Sequence, residues 1–526
     1  MPGALWARYP NLAVKFLILR VPDTHPTLTA MPRILEDDFD VLVIGGGITG
    51  CGVARDAAMR GLKVALIERD DFASGTSGRS SRLVHGGIRY LEHGQLHLVR
   101  ESIREREILL RIAPHLVAPL AFTWPIYRGA RVGRLKLRAG LFVYQLMAGH
   151  NSHRSLSLDA AQTLEREPSL GQTGLLGGAV YYDARTDDAR LTLANALAAE
   201  QSGAVVLNHA RAVDIIRSAG KAVGAKVSFP LSADSQEVRA RVVVDATGVW
   251  QRGPDGQQSQ RHRGSKGVHI AVPRDRVGNR DAITLTSPID GRVMFCLPAG
   301  TQTIIGTTDT WTDDAPETVH ATVADVDYLL RSANAYFPRA NLSLDDIVSA
   351  WAGIRPLAGG QSANPTAVSR EHSIDADASG IIHVTGGKLT TYRSMAAEVV
   401  DRVQEAMGRR RTPATTDSAE LPGADRDQEI ARLQRDDPQL AEPLVHGLSW
   451  TGAHLIYAVT KEKAQTLSDL LIRRTHLAFE TRDHGRSIAS RVADMVVPLL
   501  RWTDQTKSAR VREFEQDIGH IFAITP

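Results

Sequence analysis

Residues 40–50 read DVLVIGGGITG, and that stretch decides the fold. Residues 40–44 form a short apolar run of the kind that makes a buried parallel strand, and they lead directly into Gly45-Gly46-Gly47-Ile48-Thr49-Gly50. Residues 51–60 then carry Gly52, Ala54, Ala57 and Ala58, small side chains that let a helix lie close on a sheet, and Gly61 marks its stop. A second strand is expected over residues 63–67. Glu68 ends it, 18 residues beyond Gly50, where a carboxylate accepts hydrogen bonds from both ribose hydroxyls of an adenosine. Glycines alone would say little, but strand, glycines, helix, strand and acid in this order predict dinucleotide binding. Gly45, Gly47, Ile48, Thr49 and Gly50 are expected at the pyrophosphate, facing a helix N-terminus, and Glu68 at the ribose.

Two distant segments are expected to meet the same ligand. Residues 242–248 (VVVDATG) read as a buried strand ending at Thr247 and Gly248, a pattern that resembles the second contact large FAD-binding folds make with their cofactor. They follow a hairpin-like segment at 204–216, containing Ala212, that would lie against the adenine. Residues 383–392 (HVTGGKLTTY) form a strand that turns through Gly386 and Gly387 into a helix, with Lys388, Leu389 and Thr390 at the turn. A helix start there would stabilise negative charge on a reduced flavin. Three converging segments favour FAD over NAD.

Residues 75–92 (GTSGRSSRLVHGGIRYLE) closely resemble the signature of the FAD-dependent glycerol-3-phosphate dehydrogenases. Further matching stretches are 187–191, 306–309, 353–357, 369–372 and 386–392, so the likeness covers about residues 38–395, with a looser match beyond. The resemblance implies FAD contacts at Thr76, Ser77, Ser81, Leu83, His85 and Gly87. It implies oxidation of sn-glycerol 3-phosphate to dihydroxyacetone phosphate by hydride transfer to the flavin, with electrons passed to a membrane quinone. The implied location is the cytoplasm, peripheral to the inner face of the cell membrane, and a homodimer is a further expectation.

The residues support the same substrate. A phosphate monoester dianion needs fixed cations, and guanidinium groups grip it as a fork. Arg355 and Arg370 flank a turn-rich stretch at 356–365, and the resemblance places both at the phosphate, with Arg89 and Lys388 nearer the flavin and the substrate hydroxyls. Tyr90 is expected to cover the flavin or the substrate, or simply to pack. Removing hydride from C2 leaves a hydroxyl proton that a near-neutral imidazole would accept. His269 is favoured as that base and His85 as a cofactor contact, with a satisfied structural histidine as the competing reading for both; Arg355 would also lower the alcohol pKa and lessen the need for a base.

Bulk properties set limits. At 526 residues the chain exceeds one ordinary core, and 43% hydrophobic with 23% charged residues suits a globular protein of two or more domains. Sixty-two basic against 59 acidic side chains leave a formal charge of +3, too near balance to argue for a nucleic-acid partner. Cys51 and Cys296 have no paired spacing, so neither a disulfide framework nor a metal site is implied. The apolar run at 12–21 is broken by Lys15 and Arg20 and is too short to span a membrane; residues 1–37 are expected to be an unstructured extension, with Met31 an alternative start.

The expected fold class is α/β: an FAD-binding Rossmann-like domain interleaved with an antiparallel-sheet substrate domain over residues 38–410, then an α-helical domain over 411–526. Residues 95–112 place Leu96, Val99, Ile103 and Leu110 on one helical stripe with charges opposite, as for a surface helix. Residues 131–147 (RVGRLKLRAGLFVYQLM) have the composition of a helix that rests in an anionic lipid interface, or of a packed core helix. Residues 281–309 read as short strands about turns at Asp290-Gly291 and Ala299-Gly300, and 457–471 and 485–502 as helices. The C-terminal part shows no catalytic constellation. The alternatives left open are a glycerol-3-phosphate oxidase that uses oxygen, an amine or amino-acid oxidase on the same scaffold, and a non-catalytic flavoprotein.

Overall fold

The parallel run expected at the start of the chain is the strand Phe39–Ile44, and it lies at the heart of a sheet. The structure, a computed structural model, describes residues 38–88, 91, 94–148, 154–251, 264–357 and 371–526. The expected N-terminal extension, Arg89, Tyr90 and Arg370 therefore lie outside the described residues.

Among the described residues two large sheets carry the fold. The first runs in the order His372–Ala376, Ile382–Gly386, Asp234–Asp245, Phe39–Ile44, Val64–Ile67, Val205–Leu207, all parallel but the antiparallel edge strand His372–Ala376. Val41 and Val43 point to one face, where the helices Ile48–Met59, Asp188–Gln201 and Tyr392–Ala406 cover them. Leu42 points to the other, against the antiparallel meander of Arg211–Ser218, Lys221–Phe229 and Asp234–Asp245. Gly45 and Gly50 are required by close approach. A Cβ at Gly50 would stand 1.9 Å from the carbonyl oxygen of Gly45, and one at Gly45 would stand 2.6 Å from that of Ala246. Helix and flanking strand can therefore pack only without side chains there.

The second sheet is almost wholly antiparallel and includes Gly264–Pro273, Gln302–Gly306, Val293–Ala299 and Ala282–Thr286, the hairpins expected from the turns at 290–291 and 299–300. Gly264–Pro273 is central: it pairs with Gln302–Gly306 on one side and with Ser349–Pro356 on the other. His269 and Arg355 thus sit on neighbouring strands.

Two expectations are refined. The helix Leu96–Ile112 does lie at the surface with Arg100, Arg104 and Arg111 exposed, but the expected stripe holds only in part, since Leu96 is half exposed whereas Glu105 and Arg106 are buried. Arg106 bonds Asp183 at 2.6 Å and Glu105 bonds Arg393 at 2.6 Å, so paired charges, not the apolar stripe alone, hold it. The signature glycine Gly86 serves this packing too: a Cβ there would meet the Tyr144 hydroxyl at 2.2 Å and Ile103 at 2.6 Å. Residues 457–471 are not one helix. The helix Gly452–Lys461 stops where Lys463 takes a left-handed φ of 57°, and a separate π-helical turn, Asp469–Arg474, follows.

That turn docks the C-terminal helical region onto the first sheet's domain. Buried Asp71 bonds Arg473 and Arg474, each at 2.7 Å, while Asp469 bonds Arg473 at 2.7 Å and His209 at 2.9 Å. Removing one partner of such a buried pair costs about 3–5 kcal/mol. The helices Arg426–Asp436, Gly452–Lys461, Ala489–Leu500 and Asp504–Ile521 make up most of the region, and the chain ends by pairing Ile524–Thr525 with Ala321–Thr322 of the substrate half.

Candidate active site

A cleft of about 730 Å³ runs along the seam between the two sheets. Its lining follows the sequence expectation closely. Gly45, Gly47, Ile48, Thr49 and Glu68 come from the first nucleotide unit, Thr76, Ser77, Ser81, Leu83 and His85 from the signature, and Ala212, Thr247 and Gly248 from the middle of the chain. Gly387, Lys388, Leu389 and Thr390, then His269 and Arg355, complete the far end. Gly50 and Gly87 do not line it: Gly50 is spent on the Gly45 contact, and Gly87 is a buried turn residue with φ 74°.

At one end Glu68 accepts hydrogen bonds from the Gly46 and Asp70 amides at 2.6 and 2.8 Å, and burial pushes its carboxyl up to about 7. In the middle the helix Ile48–Met59 begins at Gly47 with no side-chain cap, and the Ile48 amide bonds Ser77 Oγ at 2.9 Å. Its N-terminal dipole faces the cleft, as an anion requires. This extended cavity, with a carboxylate at one end, an open helix N-terminus midway and the Gly387 turn beyond, fits a dinucleotide such as FAD.

The sequence did not single out a cluster at the mouth. The Arg69 guanidinium lies 4.6 Å over the Trp250 ring, Trp250 Nε1 donates to Glu317 at 2.5 Å, and Arg69 bonds Glu317 at 3.2 Å. All three line the cleft. Gly75 admits the indole, since a Cβ there would stand 2.6 Å from it. The one available signal was the placement of Arg69 beside Glu68 and of Trp250 beside Gly248; Glu317 carried none.

At the opposite end His269 is buried, with Nε2 2.8 Å from Ser81 Oγ and its ring stacked on Trp351 at 5.4 Å. Nδ1 is buried with no hydrogen-bond partner. Burial, then the Arg355 and Arg82 cations, hold the imidazole down at about 3, so it is neutral across the physiological range. Arg355 is a quarter exposed; Nη2 donates to Thr307 Oγ1 at 2.9 Å and Nη1 to Asp309 at 3.2 Å. Its guanidinium fills the space over Gly267, where a Cβ would stand 2.2 Å away. Lys388 Nζ lies 3.3 Å from Ser102 Oγ, and the His85 backbone amide bonds Thr390 Oγ1 at 3.1 Å, tying the signature to the third segment. The cleft therefore brings together His269, His85, Arg355 and Lys388.

Comparison with known proteins agrees with this architecture. The family model described as FAD dependent oxidoreductase matches residues 40–402, and the one described as C-terminal domain of alpha-glycerophosphate oxidase matches 415–507. A glycerol-3-phosphate dehydrogenase 2 of Mycobacterium tuberculosis is 38% identical over 513 residues, covering 90% of this chain and 87% of that one. The aerobic glycerol-3-phosphate dehydrogenase of Staphylococcus saprophyticus is 34% identical, covering 91% and 94%. Among solved structures, the Bacillus halodurans glycerol-3-phosphate dehydrogenase complexed with FAD superposes with a TM-score of 0.75 at 31% identity, covering 93% and 96%. A glycine oxidase from Geobacillus kaustophilus, at 19% identity and TM-score 0.54, shares the fold over 73% of this chain. The chain belongs to the FAD-dependent oxidoreductases, within them to the family of FAD-dependent glycerol-3-phosphate dehydrogenases, and its cofactor is FAD.

Proposed function

We propose that the protein oxidises sn-glycerol 3-phosphate to dihydroxyacetone phosphate and passes the electrons to a membrane quinone. The observation that carries the substrate is the placement of Arg355: a guanidinium fork partly open to the cleft, on the strand beside His269, at the end away from Glu68. An amino-acid substrate would offer a carboxylate; a phosphate dianion answers better to Arg355 combined with Lys388 in one pocket. The names of the relatives point the same way.

FAD, when bound, supplies the two-electron acceptor for the C2 hydride. The chain's own residues bind and deprotonate. Arg355 holds the phosphate, and Lys388 and Arg355 stabilise negative charge as it grows on the C2 oxygen. His269 takes the hydroxyl proton at Nε2, the nitrogen that faces Ser81 Oγ. Burial and the neighbouring cations leave the imidazole neutral and so able to accept the proton, though as a weak base, and the Arg355 cation offsets part of that weakness by lowering the pKa of the alcohol. Arg89, Tyr90 and Arg370 complete the substrate set in this reading.

The acceptor reading draws on the helix Arg134–Ala148. No helix among the described residues is long and apolar enough to cross a membrane. This one buries Leu137, Leu141 and Tyr144 yet leaves Leu135 83%, Phe142 70% and Leu146 72% exposed beside Arg134, Lys136 and Arg138. Exposed apolar side chains among cations suit the interface of an anionic bilayer. The protein would then work at the cytoplasmic face of the cell membrane.

The test is anaerobic mixing of FAD-loaded protein with sn-glycerol 3-phosphate while flavin absorbance is followed. Bleaching by this substrate and not by glycine or proline, reversed by a soluble quinone faster than by oxygen, is the expected result. An unbleached, FAD-loaded protein overturns the substrate; faster return with oxygen makes it an oxidase.

A further inference from the structure

Behind His269 lies a layer that the C-terminal region supplies. Trp351 stacks on His269, and the Phe479 ring meets Trp351 edge-on at 5.1 Å. Arg82, next in sequence to the Ser81 that bonds His269, places its guanidinium 5.0 Å over Phe479 and 6.0 Å over Trp351. The His476 ring holds that guanidinium from behind: Nδ1 accepts from Arg82 Nη2 at 3.3 Å, while Nε2 lies 2.9 Å from Asp187. His476, Phe479, Trp351 and His269 are all buried. Two features show that the arrangement is imposed and not incidental. Arg82 and His476 both adopt left-handed backbone, φ 55° and 52°, which branched or bulky residues rarely do without compensation. The Phe479 carbonyl is gripped by Ser349 Oγ at 2.9 Å and Gln302 Nε2 at 3.2 Å, from the sheet that carries His269.

We infer that the C-terminal helical region completes the active site: His476 and Phe479 are positioning residues that fix Arg82 against the Trp351–His269 stack and so hold the proton-accepting imidazole in place. The inference rests on the reaction proposed above. The titratable and charged groups around Arg82 are Asp187, Asp188, Glu480 and His476, and the Arg355 cation also acts on His269. With Arg82 held, burial first and then the Arg355 and Arg82 cations keep His269 neutral. With Arg82 released, one of the two cations is lost. The same contacts explain why the region is welded to the nucleotide domain through Asp71, Arg473 and Arg474, immediately before His476. A mobile cap could not position a side chain.

The test uses full-length FAD-loaded protein and the variants Arg82→Gln, His476→Ala and His476→Asn. Arg82→Gln keeps the Asp187–His476 contact and so guards against loss of docking. Asn tolerates left-handed backbone and offers both a donor for Asp187 and an acceptor for Arg82. The expected result is a flavin-reduction rate lowered about tenfold to a hundredfold in the first two variants, with half-saturation by glycerol 3-phosphate within about twofold and most of the rate restored in the Asn variant. A second readout does not involve turnover. With histidine rings carbon-13 labelled and the His269 signal assigned by its loss in His269→Gln, its titration should rise in Arg82→Gln from its depressed value, while burial and Arg355 still hold it below the ordinary range. A rate that stays at the parental level in Arg82→Gln, or a His269 titration that does not move, overturns the inference. A parent that never bleaches would instead overturn the proposed reaction.

Discussion

Ser81 Oγ lies 2.8 Å from His269 Nε2, and the contact spans 188 residues of sequence. Ser81 belongs to the loop that follows the first nucleotide unit, and His269 to the central strand of the other sheet. The site is therefore made at a seam: one sheet supplies much of the cofactor lining, and the other carries His269 and Arg355, the proposed proton acceptor and phosphate-binding group. Chemistry occurs only if the two sheets keep register with each other, which is the task of the interdomain contacts.

His269→Gln keeps the ring's volume roughly and one hydrogen-bonding group but cannot take a proton. Flavin reduction should slow by about 10²–10⁴-fold, the usual contribution of a general base, with FAD content unchanged. Ser81→Ala should lose less, about tenfold, since it removes only the hydroxyl that orients the ring. Stopped-flow bleaching of the two variants checks both, and equal losses would place the base elsewhere.

Arg355→Lys keeps one charge and loses the fork. Half-saturation by glycerol 3-phosphate should rise about tenfold to a hundredfold while any turnover of unphosphorylated glycerol is affected little. Because Asp309 is buried beside Arg355, Arg355→Ala should also lower stability. Steady-state kinetics with both alcohols separates phosphate recognition from folding.

Glu68 and Glu167 are buried carboxyls held up to about 7. Between about pH 4.5 and 7 these two carboxyls hold more protons in the folded FAD-free protein than in the unfolded chain, so their contribution to stability falls as pH rises through that window, opposed below about 6.5 by the depressed His269 and His454. Each group contributes on the order of 3 kcal/mol at most, fully present below the ordinary carboxyl pKa and lost above 7. The thermal midpoint of FAD-stripped Glu68→Gln should therefore lie relatively higher than the parent's as pH rises from 5 to 8, the two slopes differing by the Glu68 contribution, and the variant should retain FAD more weakly. An unchanged slope in that variant would show that Glu68 ionises normally.

Much of this was legible because the nucleotide unit is local. Strand, glycines, helix and Glu68 fall within 30 residues, and their packing reasons, such as the Gly50–Gly45 approach, are short-range. His269 and Arg355 were found through motifs, and the structure puts them on paired strands. What stayed hidden depends on partners far along the chain. Glu105 and Arg106 look like solvent charges until Arg393 and Asp183 meet them, and the Asp71–Arg474 pair joins residues 403 apart. Periodicity also misled over 457–471, because apolar spacing continues through a turn that Lys463 makes with a left-handed backbone. A hydrophobic pattern records burial, not which backbone delivers it.

Trp250 closes the mouth of the cleft with Arg69 and Glu317, from three separate segments. Arg69 and Glu317 are substantially exposed, so each ion pair alone is worth little; the indole gives the cluster its hold. Trp250→Ala should speed FAD loss by about five- to thirtyfold, equivalent to roughly 1–2 kcal/mol, and leave half-saturation by substrate unchanged. Flavin fluorescence after dilution reads the release directly. If release is no faster, the cluster is a surface ornament of the cleft and not part of FAD retention.

The helix Arg134–Ala148 carries apolar side chains on both its buried and its outer side. Its buried side, Leu137, Leu141 and Tyr144, packs toward the helix Leu96–Ile112 and its outer side shows Leu135, Phe142 and Leu146. Leaving three large apolar side chains in water forgoes about 1.5–3 kcal/mol each, which a bilayer interface would recover. Substituting all three by Ser should abolish binding to vesicles containing anionic lipid without changing bleaching by glycerol 3-phosphate, because none of them lines the cleft. Raising salt should weaken binding of the unaltered protein in proportion to the share carried by Arg134, Lys136 and Arg138. Sedimentation with vesicles of anionic and of neutral lipid distinguishes the two contributions. Equal binding by the Ser variant would mean that this face serves another surface, and that electrons leave the protein by a different route.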